Sequence, residues 1–187
     1  MGQLPLRKSG TAFRNLTRGF TLIELIVVIA ILSILAVAVI VALNPLDQFK
    51  KANDVRRKSD LAQIQRALET YYQDNKQYPV MTNCNGASYK IQSAPPGNSC
   101  IDWGSSWPPY MNIVPQDPVP GVRYAYMPDN NNQSYYLYAS LDRGSSDPQA
   151  CNKGDWCASI QGSDRANSPC GANRKCNYGV SSSDQIP

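Results

Sequence analysis

The chain has 187 residues, contains no histidine and carries a formal net charge of +4. The absence of histidine excludes His-based catalytic triads and His-ligated metal sites. The excess positive charge lies in residues 1–19, which hold four of the 18 basic residues and no acid, so that 14 basic and 14 acidic residues remain elsewhere. Net charge therefore does not indicate a surface for nucleic acid, and we do not expect such a partner.

An uninterrupted apolar segment follows this short basic leader. Residues 20–43 contain one charged residue, Glu24, and neither Gly nor Pro. A helix of this length is about 36 Å long, enough to cross a hydrocarbon core of roughly 30 Å. Because a helix is the single-segment structure that satisfies backbone polar groups in lipid, we predict a transmembrane helix over residues 20–43.

Residues 44–79 are predicted to continue this helix in amphipathic form. Pro45 predicts a kink near residues 41–46, and Tyr78-Pro79 predicts the end of the helix. Apolar residues at spacings of three and four form one stripe: Leu61, Ile64, Leu68 and Tyr71. The other faces carry Lys50, Lys51, Arg56, Arg57, Lys58, Asp60, Gln63, Arg66 and Glu69. We expect one long, bent helix from about residue 21 to residue 77.

Residues 80–187 are predicted to form a globular head. The stretch 80–120 is rich in Pro, Gly, Asn and Ser and is typical of loops. Residues 121–127 and 134–141 flank a turn-forming stretch and predict an antiparallel hairpin. Its tyrosines could stack on bases, but alternating tyrosines more often pack a sheet against a helix, so we expect them on the apolar stripe. The fold class is α+β, with a frayed tail after about Tyr178.

All six cysteines lie in the head, and Cys84 and Cys100 precede four that begin at residue 151. The four are Cys151, Cys157, Cys170 and Cys176. An even number in a loop-rich, exported region favours disulfides over free thiols, since such bonds persist in oxidising compartments. Six cysteines allow 15 pairings, and nearness in sequence favours Cys84–Cys100, Cys151–Cys157 and Cys170–Cys176.

The stretch Arg18-Gly19-Phe20-Thr21-Leu22-Ile23-Glu24 is the most specific motif in the chain. It resembles the class III signal of type IV pilins and type II secretion pseudopilins: a basic leader, Gly, an apolar first mature residue, and Glu four residues later before an apolar helix. The run DLAQIQRALETYYQDNKQYP, residues 60–79, resembles the end of the long helix in major pseudopilins. Residues 113–142 are similar to the hairpin region of the same group, whereas the cysteine-rich ending departs from the usual major pseudopilin.

This resemblance implies a pilin fold and a set of partners. A prepilin peptidase, a membrane aspartyl peptidase, would cut the Gly19–Phe20 bond on the cytoplasmic side and methylate the new α-amine of Phe20. Residues 1–19 would then be a cytoplasmic leader, and the head would lie outside the cytoplasmic membrane. Before assembly the apolar helix would lie in membrane lipid. Copies of the chain and other pilin-like subunits would then leave the lipid and assemble into a cell-surface filament on an inner-membrane platform.

Glu24 has a physical part in this scheme. A carboxylate in an apolar helix is costly, on the order of 2.5–3.5 kcal/mol at midbilayer, and less near the end of the span. Cleavage would create a cationic amine at Phe20 as its partner, in the same chain or a neighbouring one. We hypothesise that Glu24 stabilises assembly by neutralising the Phe20 amine of a neighbouring subunit.

Simpler interpretations of the apolar segment remain open. It could be an ordinary secretory signal cut after Ala36-Val37-Ala38, although it is longer than the usual 7–15-residue apolar core of such signals. It could instead be an uncleaved membrane anchor. Basic residues on both sides of the span leave its orientation undecided by charge, and the cysteines and the resemblance put the C-terminus outside.

Three functions follow from these interpretations. The first is a pseudopilin of a type II secretion-like system, the second a pilin of a type IV or competence pilus, and the third a membrane-tethered binding module that does not polymerise. No catalytic set is visible in the sequence, so an enzyme is not expected.

No cofactor is expected, and calcium is a weaker alternative. Major pseudopilins often bind Ca²⁺ in a C-terminal loop, and Asp142, Asp147 and Asp155, with Asp164, could supply oxygen ligands. Their spacing matches no dense ligand pattern, so turn residues on a solvated loop are the favoured interpretation.

Overall fold

The computed structural model describes residues 19–84, 87–92 and 99–182. Residues 1–18 of the predicted leader (1–19) and the last five residues of the tail lie outside the described residues. The chain forms two compact units, one reaching Pro45 and the other beginning at Leu46.

The first unit consists of the apolar helix α1, Leu22–Leu43. Every described side chain from Phe20 to Val41 is exposed. Within α1, the 20 residues Leu22–Val41 have a mean hydropathy of 3.1, and this is the one helix among the described residues that is long and apolar enough to cross a membrane. Its surface therefore needs lipid or other apolar helices as its surroundings.

The predicted single helix is divided in the structure at Asn44. Helix α1 ends with Asn44 in the left-handed conformation at φ 42°, and helix α2, Pro45–Asn75, begins at the next residue. A residue before proline is disfavoured in the right-handed helical region, and asparagine tolerates the left-handed one. Proline fits the first helical position, where its missing N–H is not needed.

The second unit is organised around α2. The predicted stripe of Leu61, Ile64, Leu68 and Tyr71 is buried in the main hydrophobic cluster of the head. The same cluster contains Tyr124 and Tyr126 from the predicted hairpin. The prediction that the hairpin tyrosines pack against this stripe is confirmed for Tyr124, Tyr126 and Tyr135. It is wrong for Tyr136 and Tyr138, which pack in a second cluster with the disulfide cysteines.

Two three-stranded antiparallel sheets complete the head. The first has the order β1–β2–β3, with β1 Met81–Cys84, β2 Ala87–Gln92 and β3 Cys100–Ile101. The second has the order β4–β5–β6, with β4 Ala125–Pro128, β5 Tyr135–Ala139 and β6 Tyr178–Ser181.

The hairpin β4–β5 is confirmed, while the prediction of a frayed tail is wrong. Residues 80–120, expected to be mainly loops, also contain the short strands of the first sheet, which the sequence did not indicate. The tail expected to fray after Tyr178 instead forms β6, which pairs with β5 in the register Leu137↔Val180. This pairing places β5 between β4 and β6. Strand β6 is far from β5 in the sequence, so local composition does not reveal the pairing.

The buried tyrosines satisfy their hydroxyl groups within the head. The Tyr124 hydroxyl donates to the Asp60 carboxylate at 2.7 Å, and the Tyr126 hydroxyl donates to the Pro79 carbonyl at 2.6 Å. Burial raises the pKa of Tyr124 and Tyr126 above the ordinary value, so both remain neutral donors near pH 7. Both rings are fully buried, so neither is exposed for stacking on a base.

Disulfides hold the last part of the head. The structure contains the pairs Cys151–Cys157 and Cys170–Cys176. The two loops are joined by a hydrogen bond from the Cys157 amide to the Cys176 carbonyl at 3.0 Å. Cys100 is also disulfide-bonded, and the suggested pair with Cys84 involves a side chain outside the described residues.

Two leucines of α2 test this account of the core. Leu68 is fully buried, whereas Leu46 is 72% exposed. We expect Leu68→Ala to lower the free energy of unfolding of the head by about 2–5 kcal/mol, through lost apolar contacts and a cavity. The matched change Leu46→Ala should stay within about 0.5 kcal/mol. Urea titration of the full chain in detergent, followed by tryptophan fluorescence, measures both, and equal losses would contradict the packing described.

Candidate functional site

The residues before α1 are open to their surroundings. Gly19 and Phe20 precede the helix in non-helical conformation, and the Phe20 side chain is 88% exposed. A Cβ atom built on Gly19 would meet no described atom within 4 Å. Packing among the described residues therefore does not require glycine at this position.

Glu24 caps the helix in which it lies. Thr21 is the N-cap of α1 and forms a capping box with Glu24. The Glu24 Oε2 atom accepts the Thr21 amide at 2.8 Å and the Thr21 hydroxyl at 2.7 Å, and the Glu24 amide donates to Thr21 Oγ1 at 3.3 Å. In the uncleaved chain the acid thus has a local partner, which the expectation of an unpaired carboxylate overlooked.

The two carboxylate oxygens of Glu24 differ in their surroundings. Oε2 takes both hydrogen bonds from Thr21, and no donor reaches Oε1 from the described residues. A carboxylate can accept about four hydrogen bonds, so Oε1 is available to a further donor. The motif residues Gly19, Phe20 and Glu24 are thereby gathered at the start of the apolar helix, with an acceptor still open.

A buried arginine forms a second notable site, within the head. Arg57 of α2 is fully buried, contrary to the prediction that it belongs to a solvated face. Its Nε and Nη2 atoms donate to the two oxygens of Asp117 at 2.7 and 3.1 Å. Its Nη1 atom donates to Asp54 at 2.9 Å and to Asp142 at 2.8 Å. One guanidinium therefore joins α2 to two loops that are distant in sequence.

The carboxylates of this Arg57 cluster are themselves well bonded. Asp54 accepts the backbone amides of Asp142 and Arg143 at 2.8 and 2.9 Å. Asp142 also accepts Arg174 Nη1 at 2.6 Å. Satisfying every partner in this way is what makes a buried charge tolerable.

The sequence held a signal for Arg57. Counting back four residues from Leu61 along the apolar stripe reaches Arg57, and counting back three more reaches Asp54. Both positions lie on the buried face, because residues three and four apart share one side of a helix. The prediction placed Arg57 off the apolar stripe because of its charge. The structure buries it instead and supplies carboxylate partners from two loops.

Comparison with known families and proteins covers both sites. Residues 14–40 match the prokaryotic N-terminal methylation motif, and residues 44–153 match the model described as type II secretion system (T2SS), protein G. The chain belongs to the type II secretion system protein G family. No solved structure was found to match it.

Three proteins named type II secretion system core protein G illustrate the family relationship. The one from Dickeya chrysanthemi is 35% identical over 101 residues, which is 54% of this chain and 62% of that protein. The one from Aeromonas hydrophila is 37% identical over 101 residues, 54% of this chain and 66% of that protein. The one from Klebsiella michiganensis is 32% identical over 120 residues, 64% and 80% of the two chains. The chain thus spans a little under two thirds of the first two relatives.

The protein G match ends before much of the disulfide region. It includes Asp117 and Asp142 of the Arg57 cluster, but Arg174, three of the disulfide cysteines and strand β6 follow residue 153. The last part of the head therefore lies outside the residues that the family model matches.

Each of the calcium candidates has a protein partner in the structure. Asp142 is paired with Arg57 and Arg174, Asp147 with Lys58 at 2.6 Å, and Asp155 with Lys175 at 2.8 Å. Asp164 accepts the Tyr89 hydroxyl at 3.0 Å. The described part of the chain brings together no group of three or more metal-ligating side chains. Amino-acid cations already provide the positive charge that Ca²⁺ would supply.

These ion pairs also set how the carboxylates titrate. Burial alone would raise the pKa of Asp142, but hydrogen bonds from Arg57 and Arg174 hold it below its ordinary value of 3.8. Burial alone would likewise raise the pKa of Asp147, but the hydrogen bond from Lys58 helps to hold it below 3.8. A carboxyl whose pKa is lower in the folded state stabilises the fold above the unfolded-state pKa, and this contribution is lost as the pH falls through the folded-state value.

Replacing Arg57 tests the cluster. We expect Arg57→Met to lower the free energy of unfolding by about 3–5 kcal/mol, because three carboxylates lose their shared buried partner. The exposed residue Arg66 on the same helix provides the matched control, and Arg66→Met should change the free energy by no more than about 0.5 kcal/mol. Urea titration at pH 7 measures both. A small effect of Arg57→Met would show that the cluster does not hold the loops.

Calcium and acid should affect the head differently. We expect an unchanged melting temperature on adding chelator or about 1 mM CaCl₂, a concentration at which extracellular calcium modules bind. Lowering the pH from 3.8 through the lower folded-state pKa values of Asp142 and Asp147 should reduce stability, since the unfolded chain then binds protons more readily than the folded one. Scanning fluorimetry of the full chain measures both responses. A melting temperature that rises with calcium would contradict the ion-pair account.

Proposed function

We propose that the protein is a structural subunit of an extracytoplasmic, pilus-like filament in a type II secretion-like system. The observation that supports this most is the conjunction of Gly19, Phe20 and a capping Glu24 at the start of a helix that is apolar on every side. Neither a signal peptide nor a plain anchor needs all of these features together. Family membership and the protein G names of its relatives agree with the proposal.

Processing is the first step of this function. A prepilin peptidase cuts after Gly19 and methylates the new amine of Phe20, which keeps its positive charge. The exposed, unpacked backbone at Gly19 and Phe20 gives such an enzyme access to the bond. The match to the N-terminal methylation motif over residues 14–40 supports this step.

In the proposed topology the N-terminus is cytoplasmic and the head is outside. The span crosses the cytoplasmic membrane once. Two disulfides in the head favour this orientation, because such bonds persist in oxidising compartments and are rare in the cytosol.

Assembly follows from the open oxygen of Glu24. After cleavage, the cationic amine of Phe20 on a neighbouring subunit donates to Glu24 Oε1, while Oε2 keeps its bonds to Thr21. The pair neutralises both charges inside an apolar filament core and sets the axial register of the incoming subunit. Apolar helix surfaces leave the bilayer and bury one another, so the role is structural rather than catalytic.

A pilin of a type IV or competence pilus is the alternative within the same class. We favour the secretion role because the head matches protein G over residues 44–153. Deleting the gene in its host and measuring exported proteins, surface pili and DNA uptake separates the roles. Loss of export with intact pili supports secretion, and the reverse result favours the pilus.

Two substitutions at Glu24 test the assembly step. Glu24→Ala removes both the cap and the charge, whereas Glu24→Gln keeps an acceptor for Thr21 and removes only the charge. We expect both to be cleaved normally and both to reduce filament yield by roughly tenfold or more, since a hydrogen bond to a charged group contributes about 1.5–3 kcal/mol.

The control for the cap alone is Thr21→Val, which keeps the acid and should still assemble. Filaments sheared from cells and cleaved subunit in membranes are measured by immunoblotting. Normal filament yield from Glu24→Gln would show that charge neutralisation is not what Glu24 supplies.

A further inference from the structure

Five basic residues follow the apolar helix closely: Lys50, Lys51, Arg56, Arg57 and Lys58. If the head is outside, as proposed above, these residues lie on the translocated side of the membrane. Loops near the ends of a span usually carry their excess of Lys and Arg on the cytoplasmic side. The cluster therefore requires a reason other than topology.

Three of the five have partners in the head. Arg57 donates to the three carboxylates of the Arg57 cluster. Lys58 donates to Asp147 at 2.6 Å and to Gln149 at 2.9 Å. Arg56 lies 3.8 Å from Asp60. Lys50 and Lys51 are different, because both are exposed and neither has an ion-pair or hydrogen-bond partner among the residues that the structure describes.

The chain keeps these two lysines near the end of the span. Helix α1 ends at Leu43 and α2 begins at Pro45, so only Asn44 lies between them, and these two steps along the chain span at most about 7 Å. From Pro45 to Lys51 the helix rises about 9 Å. Whatever the angle at Asn44, the Lys51 backbone lies within about 16 Å of the end of α1, and a lysine side chain is long and flexible enough to extend its ammonium group to a headgroup layer.

Apolar side chains accompany the lysines on the first turns of α2. Leu46 is 72% and Phe49 69% exposed, and neither belongs to the core of the head. Exposed apolar side chains beside unpaired lysines are typical of helices that lie in a membrane interface. The apolar groups enter the acyl boundary, and the ammonium groups meet negative charge.

We propose that residues 46–51 form an anionic-phospholipid contact of the unassembled subunit, in which Lys50 and Lys51 bind headgroup phosphates. Charge complementarity and attachment to the span favour a lipid surface over a soluble partner. The contact holds the base of the head at the membrane before the subunit enters a filament. This inference rests on the proposed membrane span and does not depend on cleavage or polymerisation.

The test measures lipid preference rather than membrane binding. The full chain is reconstituted in phosphatidylcholine vesicles that contain trace spin-labelled phosphatidylglycerol or phosphatidylcholine, and the motionally restricted fraction of each is compared. We expect the parent chain to prefer phosphatidylglycerol. Lys50→Gln/Lys51→Gln should reduce that preference by up to about fivefold for each lysine. About 1 M salt should abolish it in the parent, since screening then acts within about 3 Å.

Arg66→Gln/Lys153→Gln is the matched control. It removes the same charge at two exposed sites farther along the head and should keep the parent's preference. An unchanged preference in the Lys50/Lys51 variant, or an equal loss in the control, would overturn the proposal. Urea titration verifies that both variants fold. Failure of the parent to enter the bilayer would refute the proposed span itself, and it would be seen before any lipid preference is measured.

Discussion

The apolar surface of α1 is the constraint on which the rest of the account depends. Its described side chains are exposed on all sides of the helix, so water is excluded as its lasting environment. Lipid tails and the apolar faces of other helices are both suitable surroundings. A subunit can therefore pass from a bilayer to a filament core without exposing this surface to water. In the proposed assembly, Glu24 is the group for which the two environments differ, because its open oxygen would accept from a cationic donor inside the filament.

The head solves a different problem, that of holding long loops against one helix. The tyrosine-rich core packs on the stripe from Leu61 to Tyr71. One turn before Leu61, the buried face of the helix carries Arg57, and there the Arg57 cluster holds the loops by ion pairs. A buried guanidinium stabilises the fold only when its partners are arranged around it. Here those partners are Asp54 of α2 itself and the loop carboxylates Asp117 and Asp142. Disulfides and β6 then hold the last segment, beyond the region shared with the protein G family model.

How much the sequence could predict depended on how local each feature was. The apolar helix, the stripe on α2 and the hairpin follow from periods of residues close in the chain, and the structure has all three. Strand β6 was missed because its pairing with β5 joins distant segments, and the first sheet was missed because its residues have the composition of loops. Arg57 was missed because its charge outweighed its position on the stripe. The T-x-x-E pattern of Thr21 and Glu24 predicts a capping box. It was missed because Glu24 was treated only as a carboxylate that is unfavourable in lipid.

The N-terminus of the mature protein tests the central claim most directly. The protein is extracted from host membranes, and its intact mass and N-terminal residue are determined. The account predicts a chain that begins with N-methylated Phe20 and retains the whole of α1. A chain that begins near residue 39 would mean an ordinary signal peptide, and one that still begins at Met1 in a host with an active peptidase would mean a plain anchor; either result would contradict it.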